Sequence, residues 1–309
     1  EKKGKNIQLM NFNAKDLHFY GHDTFPLRHL WLPKAVSHVR ETKNLLDYTT
    51  IMTEQGLGKN MAKSMRHWAE STQIVEYDYK LKEHNITPVG EIIFSEKGDR
   101  YIQYTDTVWL IHYLLVTNHK KNALWYFLFN CYGSNIFTKD NFITSIRSWL
   151  EKINYTNPPP MKQLERDFNC CMNMYSLSDS RKKRNIEDYI SSPFTQLQLI
   201  SHNKGEYKIR RMSSIEISER MFNYCLLNYL ELYNKKTIPF SDILHGEKSP
   251  GKVFNLTENA LVEYLERFIT KTNSIYEFET TAGMKTLFRL GSFPKNINSY
   301  LSQAFRIIN

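Results

Sequence analysis

Apolar residues recur along this chain mostly at helical spacing, with short strand-like stretches between the helical ones. Leu30, Leu32, Ala35, Val36 and Val39 mark a first helix that begins near Pro26 and ends before Thr42. Asp47 caps a short helix, DYTTIMTEQ, and Gly56-Leu57-Gly58 makes a tight turn. A second helix runs through KNMAKSMRHWAEST, and QIVEYDY and ITPVGEIIF read as strands around a polar turn. Helix, glycine turn, helix and hairpin is the order of a winged helix-turn-helix.

The stretch TDTVWLIHYLLVTNHKKNALWYFLFNC reads as two apolar helices joined by the turn Asn118–Lys121, and it predicts a central packing spine. A second module opens at Thr138 with TKDNFITSIRSWLEK, is broken at NPPP, and continues as the helix MKQLERDFNCCMNMY. Strands QLQLIS and EYKIRR follow around Asn203-Lys204-Gly205. From near Ser214 a third module carries ISERMFNYCLLNYLELY, a short FSDIL helix and SPGKVFNLTENALVEYLERFI. The strands SIYEFE and LFRLG then meet around Ala282-Gly283, and the helix NINSYLSQAF closes the chain. Helices followed by a hairpin thus occur three times, a weak structural repeat. The expected fold is mainly α with small β-hairpins (α+β), as tandem winged helix-turn-helix-like modules around a helical spine. The expected modules are 10–135, 136–212 and 213–309.

Charge changes this picture. Lys and Arg total 41 against 32 Asp and Glu, a net +9 over 309 residues, which favours acidic partners, nucleic acid foremost. The excess is uneven. On a helical wheel of the first module's second helix, Met61, Met65, Trp68, Ala69 and Thr72 share one face. Lys59, Lys63, Arg66 and His67 share the opposite face with Glu70, and Asn60 sits among them at the start. That face reads either as a DNA-recognition surface, with Asn60 able to reach adenine, or as a solvated surface. In the second module Lys162 and Arg166 lie opposite Met161, Leu164, Phe168, Cys171 and Tyr175. The run Arg181-Lys182-Lys183-Arg184 is open between phosphate contact and a charged loop. The third module's Glu258, Glu263 and Glu266, offset only by Arg267, repel phosphate and suit a protein contact.

Composition excludes several classes. Hydrophobic residues make up 41% and aromatics 14%, too many for a disordered chain. Four cysteines without CxxC spacing are no disulfide scaffold, and their apolar neighbours suit reduced, buried thiols. Residues 1–9 (EKKGKNIQL) form no signal peptide, and the longest apolar runs fall short of the roughly 18 residues a membrane span needs. The expected location is the cytoplasm, with no membrane partner. P-loop, GxGxxG, HExxH and GxSxG motifs are absent from the sequence. His18, His22, Asp23 and His29 approach a metal cluster, but Gly21 and Pro26 break the helix that would aim two imidazoles at one ion, and no metal site is expected. Asp99, Asp106 and His112 have the chemistry for metal-assisted phosphodiester cleavage, yet Asp106 reads as a helix cap and His112 as a satisfied core histidine.

The blocks FYGHDTFPLRHLWLPKAV, LGKNMAKSMRHWAE, ITPVGEIIF, DTVWLIHYLL, ALWYFLFN and SPGKVFNLTENAL resemble a bacterial domain family. It is the SspB-like family of Ssp-type DNA phosphorothioation and phage-defence systems. The resemblance runs from about residue 17 to 290 and is strongest at His22–Pro33, Gly56–Trp68 and Thr107–Leu115. It implies a protein that works on double-stranded DNA beside a cysteine desulfurase, an ATPase and a sulfotransferase-like partner. Together they replace a non-bridging phosphate oxygen by sulfur. It further implies nicking of DNA, with Mg or Mn as the metal of such a step. It carries over no catalytic residue, so these stay unknown. Two other readings stand beside it: a winged-helix transcriptional regulator, and a non-catalytic assembly subunit.

Overall fold

The computed structural model describes residues 14–176, 192–272, 275–281 and 284–305. Its fold is α+β, with helices dominating and the strands gathered into small antiparallel sheets.

The first third holds α1 (Trp31–Thr42), α2 (Tyr48–Gln55) and α3 (Lys59–Ser71). Asp47 caps α2 by accepting from the Thr50 amide, and Gly56 ends it with φ at +63°, a conformation costly for side chains with a Cβ. β1 (Val75–Asp78) pairs with β2 (Glu83–Ile86), Val75 opposite Ile86. This corrects the expected second strand. PVGEII is instead α4 (Pro88–Ile93), because Thr87 accepts from the Gly90 amide as N-cap and Pro88 fits the first turn. The first helix also starts later than expected, at Trp31 rather than near Pro26.

α5 (Thr105–Thr117) is the spine. Every residue from Thr107 to Val116 is buried, as a helix apolar on all sides must be. Asp106 does not cap it: the N-cap position is Tyr104, and the Asp106 carboxylate accepts from the Ser218 amide instead. α6 (Ala123–Tyr126) runs into a π-helical turn, Phe127–Cys131. His112 has a satisfied place in this core. Its Nε2 donates to the Val253 carbonyl at 3.3 Å, so Nδ1 accepts from the Tyr175 hydroxyl at 2.7 Å. Burial holds its pKa at about 3, so the ring is neutral.

The middle third is β3 (Ile136–Thr138), α7 (Lys139–Lys152), α8 (Met161–Tyr175), β4 (Ile200–Asn203) and β5 (Glu206–Ile209). The last third begins with α9 (Glu219–Tyr233), β6 (Thr237–Pro239), α10 (Phe240–His245) and α11 (Pro250–Val253). It continues with α12 (Glu258–Lys271), β7 (Tyr276–Thr281), β8 (Met284–Arg289) and α13 (Asn298–Phe305). Each of these thirds contains a three-stranded sheet in which a short strand ahead of the helices pairs with the second hairpin strand: β3-β5-β4 and β6-β8-β7. α13 packs on α9 and also on α4, so the end of the chain returns to its first third. No helix among the described residues is long and apolar enough to cross a membrane.

Glu70 joins α3 to its surroundings. Lys121 donates to one carboxylate oxygen, His84 lies 3.4 Å from the other, and Arg66 lies 3.7 Å away. Burial alone would raise the Glu70 pKa, but the hydrogen bonds from His84 and Lys121 and the charges of Lys121 and Arg66 outweigh it and hold it at about 2. A carboxyl depressed in the fold stabilises above its unfolded pKa and loses that contribution as the solution acidifies towards the folded value. Glu70→Gln is therefore expected to lower the unfolding free energy by roughly 2–3 kcal/mol near neutral pH, with the gap to wild type closing between about pH 4.5 and pH 2. Urea denaturation of both proteins across that range measures it, and a gap independent of pH would contradict the assignment.

Candidate functional site

The segment between Leu17 and Pro26 threads among α3, α8 and the spine. Leu17 and Phe19 are buried, and the His18 carbonyl accepts from the Ala123 amide. Four residues of this loop have positive φ: Tyr20 at 80°, Gly21 at 109°, Asp23 at 43° and Thr24 at 65°. Such backbone costs free energy at residues other than glycine and persists only where the surroundings fix it. Here they do, through His22.

His22 is 2% exposed. Its Nδ1 accepts from the Thr24 amide at 3.1 Å, so Nε2 carries the proton and donates to Asp167 Oδ1 at 3.0 Å. Asp167, on α8, is 1% exposed and also accepts from Gln163 Nε2 at 2.6 Å. The His22 ring stacks on Trp68 at 5.7 Å between centroids, with Trp125 edge-on to both. Trp68 Nε1 donates to the Phe25 carbonyl, and the Ser64 hydroxyl donates to the His22 carbonyl. One imidazole thus ties the loop to α3 and to α8, whose Asp167 lies 145 residues further along the chain.

This arrangement gives α3 two buried stripes rather than one. Met65, Trp68, Ala69 and Thr72 pack as the wheel predicts. Ser64, His67 and Ser71 form the second stripe, against the loop. His67 is accordingly 7% exposed and does not join the outward basic face. Burial above all, with the positive charge of Lys121 adding to it, pushes its pKa well below the ordinary value, so it is neutral and offers phosphate no charge. A Cβ on Gly21 would stand 2.3 Å from His67 Nδ1, so the close approach requires glycine there.

The loop, the start of α3 and the start of α8 surround an open cleft of about 250 Å³, lined by Tyr20 to Thr24, Asn60, Gln163 and Arg166. The predicted site residues divide around it. Asn60 and Arg166 line the cleft and are exposed, and Lys59 and Lys162 are exposed beside them on the same two helices. Lys63 is half-buried. Arg66 is half-buried too, its guanidinium 5.6 Å from the Tyr48 ring centroid and turned towards Glu70, so it serves the Glu70 network. Arg181, Lys182, Lys183 and Arg184 lie outside the described residues. The wheel of α8 is borne out at Lys162, Arg166, Asn169 and Asn173, all exposed, but Met161 is exposed as well. Asp167 and Gln163 were missed by the sequence reading, since nothing local says that a polar residue on α8 meets a histidine so far away.

The histidines and acids weighed for metal chemistry do not converge. His29 donates to the Tyr101 carbonyl, Asp99 accepts from the Gln103 and Tyr104 amides, and His112 is held in the core. Among the described residues no group of three or more His, Cys, Asp or Glu side chains is placed to hold a metal ion.

Comparison with known proteins adds the family. A family model described as a protein of unknown function (DUF4007) matches residues 19–305. No curated protein matches. Among solved structures, a crystal structure of SspB has a TM-score of 0.83 at 21% identity, covering 94% of this chain and 89% of the other. A magnesium ion-bound SspB structure gives 0.82 at 20%, with the same coverage. At these identities the likeness is one of fold.

The buried pair predicts a stability effect. Asp167→Ala leaves the His22 Nε2–H and Gln163 without their shared acceptor and is expected to cost about 3 kcal/mol. Asp167→Asn keeps an acceptor oxygen and is expected to cost less. Urea denaturation ranks the two, and equal losses would refute the hydrogen-bond account.

Proposed function

The chain belongs to the DUF4007 family, and we propose that it is the DNA-binding component of a bacterial DNA phosphorothioation and phage-defence system. The observation that carries the reading is the meeting of two basic helix starts, α3 and α8, on either side of one cleft. Two of the blocks that most resemble the SspB-like family, His22–Pro33 and Gly56–Trp68, meet at this cleft, and SspB shares the fold. Lys59, Asn60, Lys63, Lys162 and Arg166 are the residues proposed to meet the DNA, phosphate chiefly through the cations. Arg166 also supplies a planar fork suited to a phosphate or a guanine edge. The run Arg181–Arg184 is kept in the proposal on charge alone.

The division into modules at 10–135, 136–212 and 213–309, each of winged-helix kind, belongs to this reading. The shared order of a short strand, helices and a hairpin in the second and third modules supports it. The third module, through the glutamates of α12, is proposed as the face towards the other proteins of the system: the cysteine desulfurase, the ATPase and the sulfotransferase-like partner.

The finer proposal is that the protein nicks the DNA. A relative of the same fold has magnesium bound, but the described residues assemble no three-ligand site for that ion, so no catalytic residue is assigned. Supercoiled plasmid with Mg²⁺ or Mn²⁺ tests the step. Open circles are the expected product, and plasmid that stays supercoiled with either ion would reduce the protein to a binding subunit or a regulator.

The binding surface has its own test. Lys59→Glu with Lys63→Glu, and separately Lys162→Glu with Arg166→Glu, are expected to weaken duplex binding. Each pair should also flatten the dependence of log K on log salt by roughly one unit for each phosphate no longer neutralised. Fluorescence anisotropy across a salt series reads both quantities. An unchanged affinity and slope in both variants would sink the cleft as the interface.

A further inference from the structure

On the far side of α3 from the cleft, the first hairpin carries a second surface that duplex binding leaves unused. Its turn exposes Tyr79 to 79% and Leu81 to 65%, the largest apolar exposures of this third of the molecule. Isolated exposed apolar residues are ordinary. Tyr79 is not isolated. Tyr77 stands edge-on to it at 5.0 Å, and Tyr77 in turn packs on His84 at 4.8 Å. His84 is fixed at the base, accepting from the Leu45 amide on Nδ1 and facing Glu70 through Nε2. Asp78 fixes the turn by accepting from the Lys80 and Leu81 amides. The exposed ring therefore stands on a built support.

Beside it is an open cavity of about 330 Å³ lined by Tyr77, Tyr79, Gln73, Asn118, Lys120 and Lys121, among others. That volume lies at the low end of the roughly 300–1,000 Å³ of small-ligand sites, too small for a duplex. Its lining carries Lys120 and Lys121 against Glu70 and Glu76, and the exposed hairpin turn adds Lys80 and Lys82. Lys80, Lys82 and Lys120 have no carboxylate within ion-pairing distance among the described residues. Lys121 and Glu70 neutralise each other, and Glu83 is taken up by Lys43, which leaves Glu76 as the opposing carboxylate of the lining.

An exposed aromatic face, a nucleotide-sized hollow and nearby lysines outside any ion pair are the parts with which proteins hold single-stranded nucleic acid: bases stack on the ring and cations follow the backbone. A duplex offers no free base face to such a ring. We propose that the hairpin and the Lys120 turn bind a single-stranded stretch of DNA, with an unpaired base on Tyr79 and a neighbouring phosphate at Lys120. The proposal rests on the reading of the protein as one that works on DNA, and it names the form of DNA that this second surface takes.

Anisotropy with labelled oligothymidine and with a labelled duplex separates the two surfaces. Tyr79→Ala is expected to weaken oligothymidine binding about five- to a hundredfold, the range of one lost base stack, and to leave duplex binding nearly unchanged. Tyr79→Trp is expected to keep single-strand affinity, and Lys120→Glu to reduce it. The charge reversals at Lys59 and Lys63 should do the opposite, weakening the duplex more than the single strand. Single-strand affinity unaltered by Tyr79→Ala would overturn the proposal and leave the hairpin to a protein partner. Equal losses for both DNA forms would overturn it too. If the cleft variants leave duplex binding intact while Tyr79→Ala still costs single-strand affinity, the cleft reading fails and this one stands.

Discussion

The structure depends on one buried imidazole. His22 must be neutral at Nδ1 to accept from Thr24 and protonated at Nε2 to reach Asp167, and its ring face is fixed by Trp68. A buried carboxylate without a donor is costly, so Asp167 constrains where α8 sits as firmly as Trp68 constrains α3. The unusual backbone of the loop follows from this. Positive φ at Tyr20, Asp23 and Thr24 is tolerated because in this place the histidine between them has both nitrogens and its ring face satisfied. The loop is thereby the joint between the first and middle thirds, and the cleft is what that joint leaves open.

The same constraint sorts the charges. By pulling Ser64, His67 and Ser71 inwards, the loop narrows the exposed surface of α3 to its N-terminal lysines, Asn60 and part of Arg66. Glu70 then draws Arg66, Lys121 and His84 to the helix's other end. Of the net +9, the part available to a phosphate on this helix is concentrated at its first turn, facing Lys162 and Arg166 on α8.

Much of the order of elements was legible. Asp47, the Gly56 turn and the Thr138 cap each carry a local signal, and the apolar spine announces itself by having no polar face. What was not legible falls into kinds. The strands β3 and β6 are three residues each, too short for alternation to register. PVGEII has the apolar content of a strand, and its Thr-Pro start was the cue to a helix. His67 was placed outside because a wheel recognises one buried stripe, whereas the second stripe of α3 is created by a loop more than forty residues earlier in the chain. Asp167 is the same case at longer range: its partner, 145 residues away, leaves no trace in the local pattern. The FYGHDT segment stood out by resemblance alone; in the structure it forms the joint.

The two proposed DNA surfaces lie at opposite ends of one rigid element. α3 has 13 residues, so at 1.5 Å per residue its ends are about 20 Å apart. Asn60 stands at the cleft end, and Glu70 at the other end fixes both His84 beneath the hairpin and Lys121 beside the cavity. On the proposed reading, α3 spaces the duplex contact at the cleft from the base of the hairpin, and Tyr79 stands beyond β1. A protein that keeps a duplex contact and a single-strand contact at a fixed short separation stabilises DNA that is open at one point. On that reading, strand opening exposes a backbone position to modification, and the separation set by α3 is a functional dimension as well as a structural one.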